Sequence, residues 1–373
     1  MLALIAGRIM RLVFVLFVVS LATFFIVDLV PGDPAIAILG SEATPEQVAQ
    51  VREELGLDDP VVERYLDWIG GALTGDLGNS LVRPAFSVSE LLALSIPITL
   101  QLAVMALVIA IVVSVPTAMW AAYREGGAFD RVVGVMTSAL ISVPSFLAGL
   151  LLAFFFVFHP DVPRYLFAVI GLSVGAGTLV TGLRKLGGSR TGSAVRGVAV
   201  GLVVIAVTVA ITASFPSFPR SGFVRLTSDE GIVENLRSAF LPALTIALAE
   251  IAVFTRLLRG DLIATLQEDF ILAAKAKGVR PARILWHEAL RPSSFSLVTL
   301  LGVSLGRAIG GTVIVETIFG IQGVGRLVVN DGVIPGDYPV VQGGVLVIAV
   351  FYVGINALVD ITYLWLDPRI RRG

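Results

Sequence analysis

Lys275, Lys277, Arg280, Arg283 and Arg291 stand close together in the segment AAKAKGVRPARILWHEALRP, residues 273–292 of an otherwise apolar chain. A basic cluster of this kind is either an ordinary topology determinant of a cytoplasmic loop or a surface that docks another protein. The other charges of interest lie inside apolar runs: Glu250, Arg307, Glu316 and Asp360. A charge at membrane depth faces protein or a water-filled path. Glu316 and Asp360 lie near the ends of their runs, where a charged group can snorkel. Arg307 lies deeper, and three readings stay open for it: pairing with Glu250, lining a pathway, or touching a solute carboxylate. At 1.5 Å per residue, Glu250 and Arg307 are expected to differ in depth by several ångströms, which a long Arg side chain would bridge.

Enzymatic patterns are missing. There is no GxxxxGK[ST] loop for ATP, no GxSxG, no HExxH and no paired-carboxylate loop. The chain has no cysteine, and its two histidines, His159 and His287, are too far apart in sequence to suggest a ligand pair. GLSVGAG, 171–177, has a nucleotide-loop look, but it sits in an apolar run without a following acid, so small-residue packing of membrane helices is the expectation. No metal, cofactor or nucleic acid is expected on this chain.

The elements that position these residues are membrane spans. Of 373 residues, 56% are hydrophobic and 15% charged, against about a quarter charged in soluble domains. Spans of about twenty apolar residues are expected at 9–30, 96–122, 132–158, 165–183, 195–214, 239–258, 295–316 and 341–365. The first is read as a retained span because its run is long for a signal peptide. With the N-terminus inside, Arg8, Arg11, Arg124, Arg131, Arg184, Lys185, Arg190, Arg196, the 273–292 cluster, Arg369, Arg371 and Arg372 all fall in cytoplasmic loops, while the acid-rich segment 31–95 falls outside. That is the positive-inside distribution.

Two short outer helices are expected. Thr44-Pro45-Glu46-Gln47 reads as a capping box with Pro at the first helical position, and Gly56 ends that helix. A second starts at Asp59-Pro60, with Val62, Tyr65, Leu66 and Ile69 on one face. In the basic segment, a helix is expected over 261–277 with Leu262, Leu266, Phe270, Ala273 and Ala274 as its apolar stripe. Gly278 supplies the left-handed C′ residue. Pro281 opens a second helix through Ile284, Leu285 and Trp286 to about Leu290. The small residues at 273, 274 and 276 allow close approach of another protein.

This segment resembles the cytoplasmic signature loop of the permease subunits of bacterial binding-protein-dependent ABC importers, in which EAA is followed after three residues by Gly. Here Leu272-Ala273-Ala274 and Gly278 hold those positions, and EALRP replaces the downstream element. The oligopeptide/dipeptide permease branch is more similar still, matching PGDPA, ATPEQVAQVREELGLDDP, GDLGNSL, DFILAAKAKG, HEALRP, VETIFGIQGVGRL and DPRI. The resemblance implies a type I importer transmembrane fold and an ATPase-coupling loop at Ala273, Ala274, Lys275, Ala276, Lys277, Gly278, Arg283, Leu290, Arg291 and Pro292. It implies a second, paralogous permease subunit, two ATPase subunits that bind ATP and Mg, an extracytoplasmic solute-binding protein, and a di- or oligopeptide solute. A nickel chelate or glutathione as solute is the alternative, and a secondary transporter a more distant one.

The family pattern stops at about 165–214. The expected architecture is an all-α polytopic membrane protein of the bacterial inner membrane with cytoplasmic termini: six family spans plus an inserted two-span hairpin, eight in total. Its parts are an N-terminal span (1–30), an external helical segment (31–95), the transmembrane domain (96–366) containing the hairpin (165–214) and coupling loop (259–292), and a tail (367–373). A re-entrant outer hairpin is the rival reading for 165–214.

Overall fold

The computed structural model describes residues 2–29, 34–39, 43–54, 56–186, 191–219 and 222–366. The helices in chain order are α1 (Leu2–Leu29), α2 (Pro34–Leu39), α3 (Pro45–Glu54), α4 (Val61–Thr74), α5 (Val88–Tyr123), α6 (Ala128–Ser142), α7 (Ser145–Ala153), α8 (Asp161–Leu186), α9 (Thr191–Ala213), α10 (Gly231–Leu266), α11 (Asp269–Ala276), α12 (Pro281–Arg283), α13 (Leu290–Phe319), α14 (Val324–Arg326) and α15 (Tyr338–Leu366). Wider π turns follow α7, α12 and α14. The chain is all-α among the described residues, and it forms two units: Met1–Ala148 with Gly222–Gly373, and Gly149–Ser221.

Among the described residues, five helices are long and apolar enough to cross a membrane: Val88–Tyr123, Asp161–Leu183, Gly231–Leu266, Pro281–Phe319 and Tyr338–Val359. The expected third span, 132–158, is not continuous. Val143 is extended (φ −84, ψ 120), as a residue before proline prefers, and Pro144 has no N–H to carry the helix through. Counted together, the helices on either side of this break give a sixth span. The first and fifth expected spans fall in α1 and α9, whose described apolar stretches, Met10–Phe25 and Gly197–Ala213, are shorter.

In the larger unit α5 and α10 lie along each other, and α10 also packs on α13. Both α5 and α10 bury small residues completely, among them Ala103, Ala106 and Ala110 of α5 and Ala239, Ala243 and Ala247 of α10. In a membrane such residues let backbones approach closely, where dispersion does the work that water exclusion does elsewhere. A capping box sets the start of α5 eight residues before the expected apolar run: Glu90 N–H donates to Ser87 Oγ (3.1 Å) and Ser87 N–H to Glu90 Oε2 (3.2 Å).

The Thr44 box is formed, with Thr44 N–H donating to Gln47 Oε1 at 2.9 Å. Gly56 takes φ +60 and Leu57 N–H closes on the Arg52 carbonyl at 2.9 Å. The face expected of the next helix is corrected. Only Tyr65 of that set is buried, while Val62 and Leu66 are 69% and 60% exposed. The packed side is Tyr65 with Trp68, because α1 offers Ser20, bonded to the Tyr65 hydroxyl at 2.8 Å, and Phe24, edge-on to Tyr65 at 5.5 Å.

In the smaller unit α8 packs on α9 through glycines. A Cβ on Gly182 would stand 2.6 Å from Val198 N, and one on Gly201 would stand 2.7 Å from Leu179 N. Gly171 and Gly175 of GLSVGAG meet Thr208 and Ile205 in the same way, so that stretch is a helix-packing surface. The residues expected to orient this hairpin, Arg184, Lys185, Arg190 and Arg196, lie outside the described residues or side chains, as do Asp360 and the tail.

One carboxylate latches the loop before α5 to the start of α15. Asp337, 1% exposed, accepts from Ser80 Oγ, from Leu81 N–H (3.1 Å) and from Val82 N–H (3.2 Å). Beside it Leu77, Val88 and Leu92 join Val324, Val328 and Val340 in one core. Asp337→Ala strands these donors and is expected to cost about 1–3 kcal/mol, read as a lowered Tm of the purified protein. Arg83→Ala, which removes only the half-exposed pair with Asp331, is expected to shift it by less than about 1 kcal/mol.

Candidate functional sites: the basic turn and the membrane-depth ion pair

The basic turn is built from α11, Gly278 and α12. The single helix expected over 261–277 is divided: α10 stops at Leu266, and Glu268 is extended (φ −69, ψ 149) as the N-cap of α11. Asp269 then places a negative charge in the first turn, where the helix dipole favours it. The break resets the helical phase. Leu262 remains fully buried, but the inward residue of α11 is Ile271, while Phe270 and Leu272 are 48% and 53% exposed. Ala273, Ala276, Lys275 and Lys277 face solvent, and Ala274 is half-buried.

Gly278 adopts φ +73. Its N–H donates to the Lys275 carbonyl (3.0 Å) and that of Val279 to the Ala274 carbonyl (3.1 Å), the paired bonds of a Schellman turn. No atom lies within 4 Å of a Cβ built there, so the backbone angle alone calls for glycine.

The second arm differs more from expectation. Pro281 is at the first helical position as predicted, but the helix does not end near Leu290. It passes through a π turn, Ile284–Ala289, straight into α13 and ends at Phe319. Pro292, which has no N–H to close a regular turn, stands just past that wider turn. Ile284, Leu285 and Ala289 are buried, Leu290 is half-buried, and Arg283, Arg291 and Pro292 are exposed. A cleft of about 440 Å³ opens beside the turn between Tyr123, Glu125, Leu266, Gln267, Lys275 and Pro281.

Two contacts brace the base of the turn, and sequence reasoning missed both. Thr265 Oγ1 and Ser293 Oγ bond at 2.8 Å, tying α10 to α13. The Arg259 guanidinium grips Asp130 with Nε and Nη2, the latter at 2.7 Å, and Gly126 N–H adds a third bond at 2.9 Å. Arg259 borders one apolar run and Asp130 opens another. Their separation of 129 positions left no local signal.

Deeper in the membrane helices, Arg307 and Glu250 do pair. Arg307 Nη2 donates to Glu250 Oε1 and Oε2 at 3.2 and 3.3 Å and to Ser304 Oγ at 2.9 Å; Ser304 Oγ donates to Glu250 Oε2 at 2.6 Å. The expected depth mismatch is absent. From the Thr265–Ser293 contact, α10 and α13 run antiparallel for about fourteen or fifteen residues each, roughly 21–22 Å, and so bring the two charges level. Glu250 is 11% exposed and Arg307 48%.

Glu316 belongs elsewhere. It is fully buried, not snorkelling, and accepts from Thr99 Oγ1 (2.7 Å) and Arg326 N–H (3.1 Å), while Thr99 Oγ1 takes the Val324 N–H (2.9 Å). It ties the turn after α13 to α5.

Glu250→Ala leaves Arg307 without a counter-charge at membrane depth. Breaking a buried pair costs about 3–5 kcal/mol, and the exposure of Arg307 puts this one at or below the lower end. The fraction of protein that stays monodisperse on heating is expected to fall with Glu250→Ala and to recover when Arg307→Gln is combined with Glu250→Gln.

Comparison with known proteins agrees with this architecture. Residues 114–372 match the model of the binding-protein-dependent transport system inner membrane component, and residues 1–103 match the N-terminal model of such membrane components. A probable peptide ABC transporter permease of Sinorhizobium fredii is 31% identical over 98% of this chain and 97% of its own. A putative peptide transport system permease of Brucella abortus is 34% identical over 100% and 99%. A di/tripeptide transport system permease of Pseudomonas aeruginosa is 33% identical over 100% and 99%. The chain belongs to the inner membrane components of binding-protein-dependent transport systems, the ABC importer permeases that its motifs resemble.

Proposed function

We propose that this permease forms half of a pathway for di- or oligopeptides and is driven by separate ATPase subunits through the 259–292 loop and its basic turn. The peptide cargo is supported by the peptide permeases to which the chain is similar over nearly their whole length. The second half of the pathway is a paralogous permease. ATP and Mg belong to the two ATPases, this chain being non-catalytic, and an extracytoplasmic binding protein delivers the solute on the side of α2–α4. The turn and both termini lie in the cytoplasm of a bacterial cell.

The observation that carries the coupling is the continuity of the helix Pro281–Phe319. A short hinged helix at the turn would absorb a push as local bending. Here the exposed arm is the first part of the helix that carries Arg307 and Glu316, about 58 Å long at 1.5 Å per residue. Displacement of the turn by closing ATPases therefore moves membrane-depth side chains. Ile271, Ile284 and Leu285 seat the turn on the body, and Gly278 fixes the angle between its arms.

Gly278→Val places a β-branched residue at a left-handed angle, which costs roughly 1–2 kcal/mol for an ordinary L-residue and more for a branched one. In the assembled importer it is expected to lose most solute-stimulated ATP turnover while the subunit still inserts. Transport at the normal rate by Gly278→Val would defeat the coupling assignment. The subunit purified alone is expected to bind no stoichiometric ATP, as measured by equilibrium dialysis.

A further inference from the structure

We infer that the groove between α10 and α13 is a water-accessible station for carboxylate-bearing solutes, with Arg307 as its binding group. Arg307 is nearly half exposed in the middle of a long apolar helix. Hydrocarbon does not accept a guanidinium there, so this face meets water or another protein. Its bonds to Glu250 and Ser304 all use Nη2. Nε and Nη1 have no partner among the described residues and remain free to donate, and an ionised acceptor makes the strongest bonds to such groups.

The surroundings favour an anion. On the basic-turn side of Arg307, which stands about one helical turn beyond Val303, a groove of about 580 Å³ is lined by Val253 and Leu257 of α10, Ser296, Leu300 and Val303 of α13, and Ile141 of α6. Arg256 stands on its rim, about 9 Å farther along the axis at 1.5 Å per residue, exposed and bonded to Ser138 Oγ at 3.1 Å. Glu250 offsets Arg307, so Arg256 leaves the groove with net positive charge. The apolar walls accommodate varied side chains, and the guanidinium holds the one group that every free peptide shares, its terminal carboxylate. This assignment of cargo rests on the peptide reading above; the anion preference of the groove does not.

The chain has no cysteine, so Val303→Cys beside Arg307 reports on the groove without background from this subunit, the parent importer serving as the blank for its partners. In the assembled importer in membranes, this thiol is expected to react several-fold faster with sulfonatoethyl than with trimethylammonioethyl methanethiosulfonate, relative to a free small thiol. The preference is expected to persist in Arg307→Lys and to vanish when Arg307→Gln, Glu250→Gln and Arg256→Gln are combined. Failure of both reagents to react, or an unchanged preference in the neutral variant, overturns the inference. In proteoliposomes, uptake of trialanine is expected to fall about tenfold more than that of trialanine amide when Arg307→Gln is paired with Glu250→Gln; equal loss of the two overturns the carboxylate contact. Failure of the unmodified importer to carry either peptide counts against the peptide reading, and the thiol rates then decide the groove by themselves.

Discussion

Hydrocarbon gives a polar group nothing to bond to, and the interior of this permease is arranged around that constraint. Each described charge that sequence reading placed in an apolar run is met by a partner from another helix. Glu250 is held by Ser304 and Arg307, and Glu316 by Thr99 and the backbone of Arg326. Asp130 and Arg259 repeat the pattern near the basic turn. These contacts cross between helices whose buried faces mix alanines with larger apolar side chains, so they fix which faces meet while the small residues allow backbones to close. Polar bonds between membrane helices are individually modest, commonly below about 2 kcal/mol, and their larger effect here is on register.

The constraint also shapes the helix behind the basic turn. A helix that crosses the membrane satisfies its own backbone, and α13 keeps that property out into water by running on through the π turn to Pro281. The basic turn is consequently one end of a stiff element whose middle carries the pair Arg307–Glu250. Rotation or tilt of that element changes how the guanidinium faces the groove without breaking backbone bonds. Glu316, farther along the same helix, anchors the opposite end to α5 through Thr99.

Much of this was legible in the sequence because it is local. Capping at Thr44, glycine at 56 and 278, and proline at 281 each act within a few residues, and each stands as read. The long apolar runs announced the membrane fold for the same reason. What was not legible is set between distant segments. The buried face of α4 follows from what α1 presents, so Tyr65 and Trp68 face inward and Val62 and Leu66 do not. The break at Glu268 shifts the buried position from Phe270 to Ile271, and periodicity alone carries the stripe through it. The level meeting of Glu250 and Arg307 depends on how far α10 and α13 extend beyond their apolar runs, which hydropathy does not measure. Asp130 with Arg259, and Ser80 with Asp337, span more than a hundred positions each.

On the proposed coupling, the basic turn and the membrane-depth groove move as one element. Its most direct measurement is the modification rate of Val303→Cys in the assembled importer, by an impermeant reagent added outside, with and without nucleotide trapped on the ATPases. A several-fold change on trapping is expected, and it disappears when Gly278→Val is added. A rate indifferent to nucleotide, or an undiminished change in the Gly278→Val background, would contradict it.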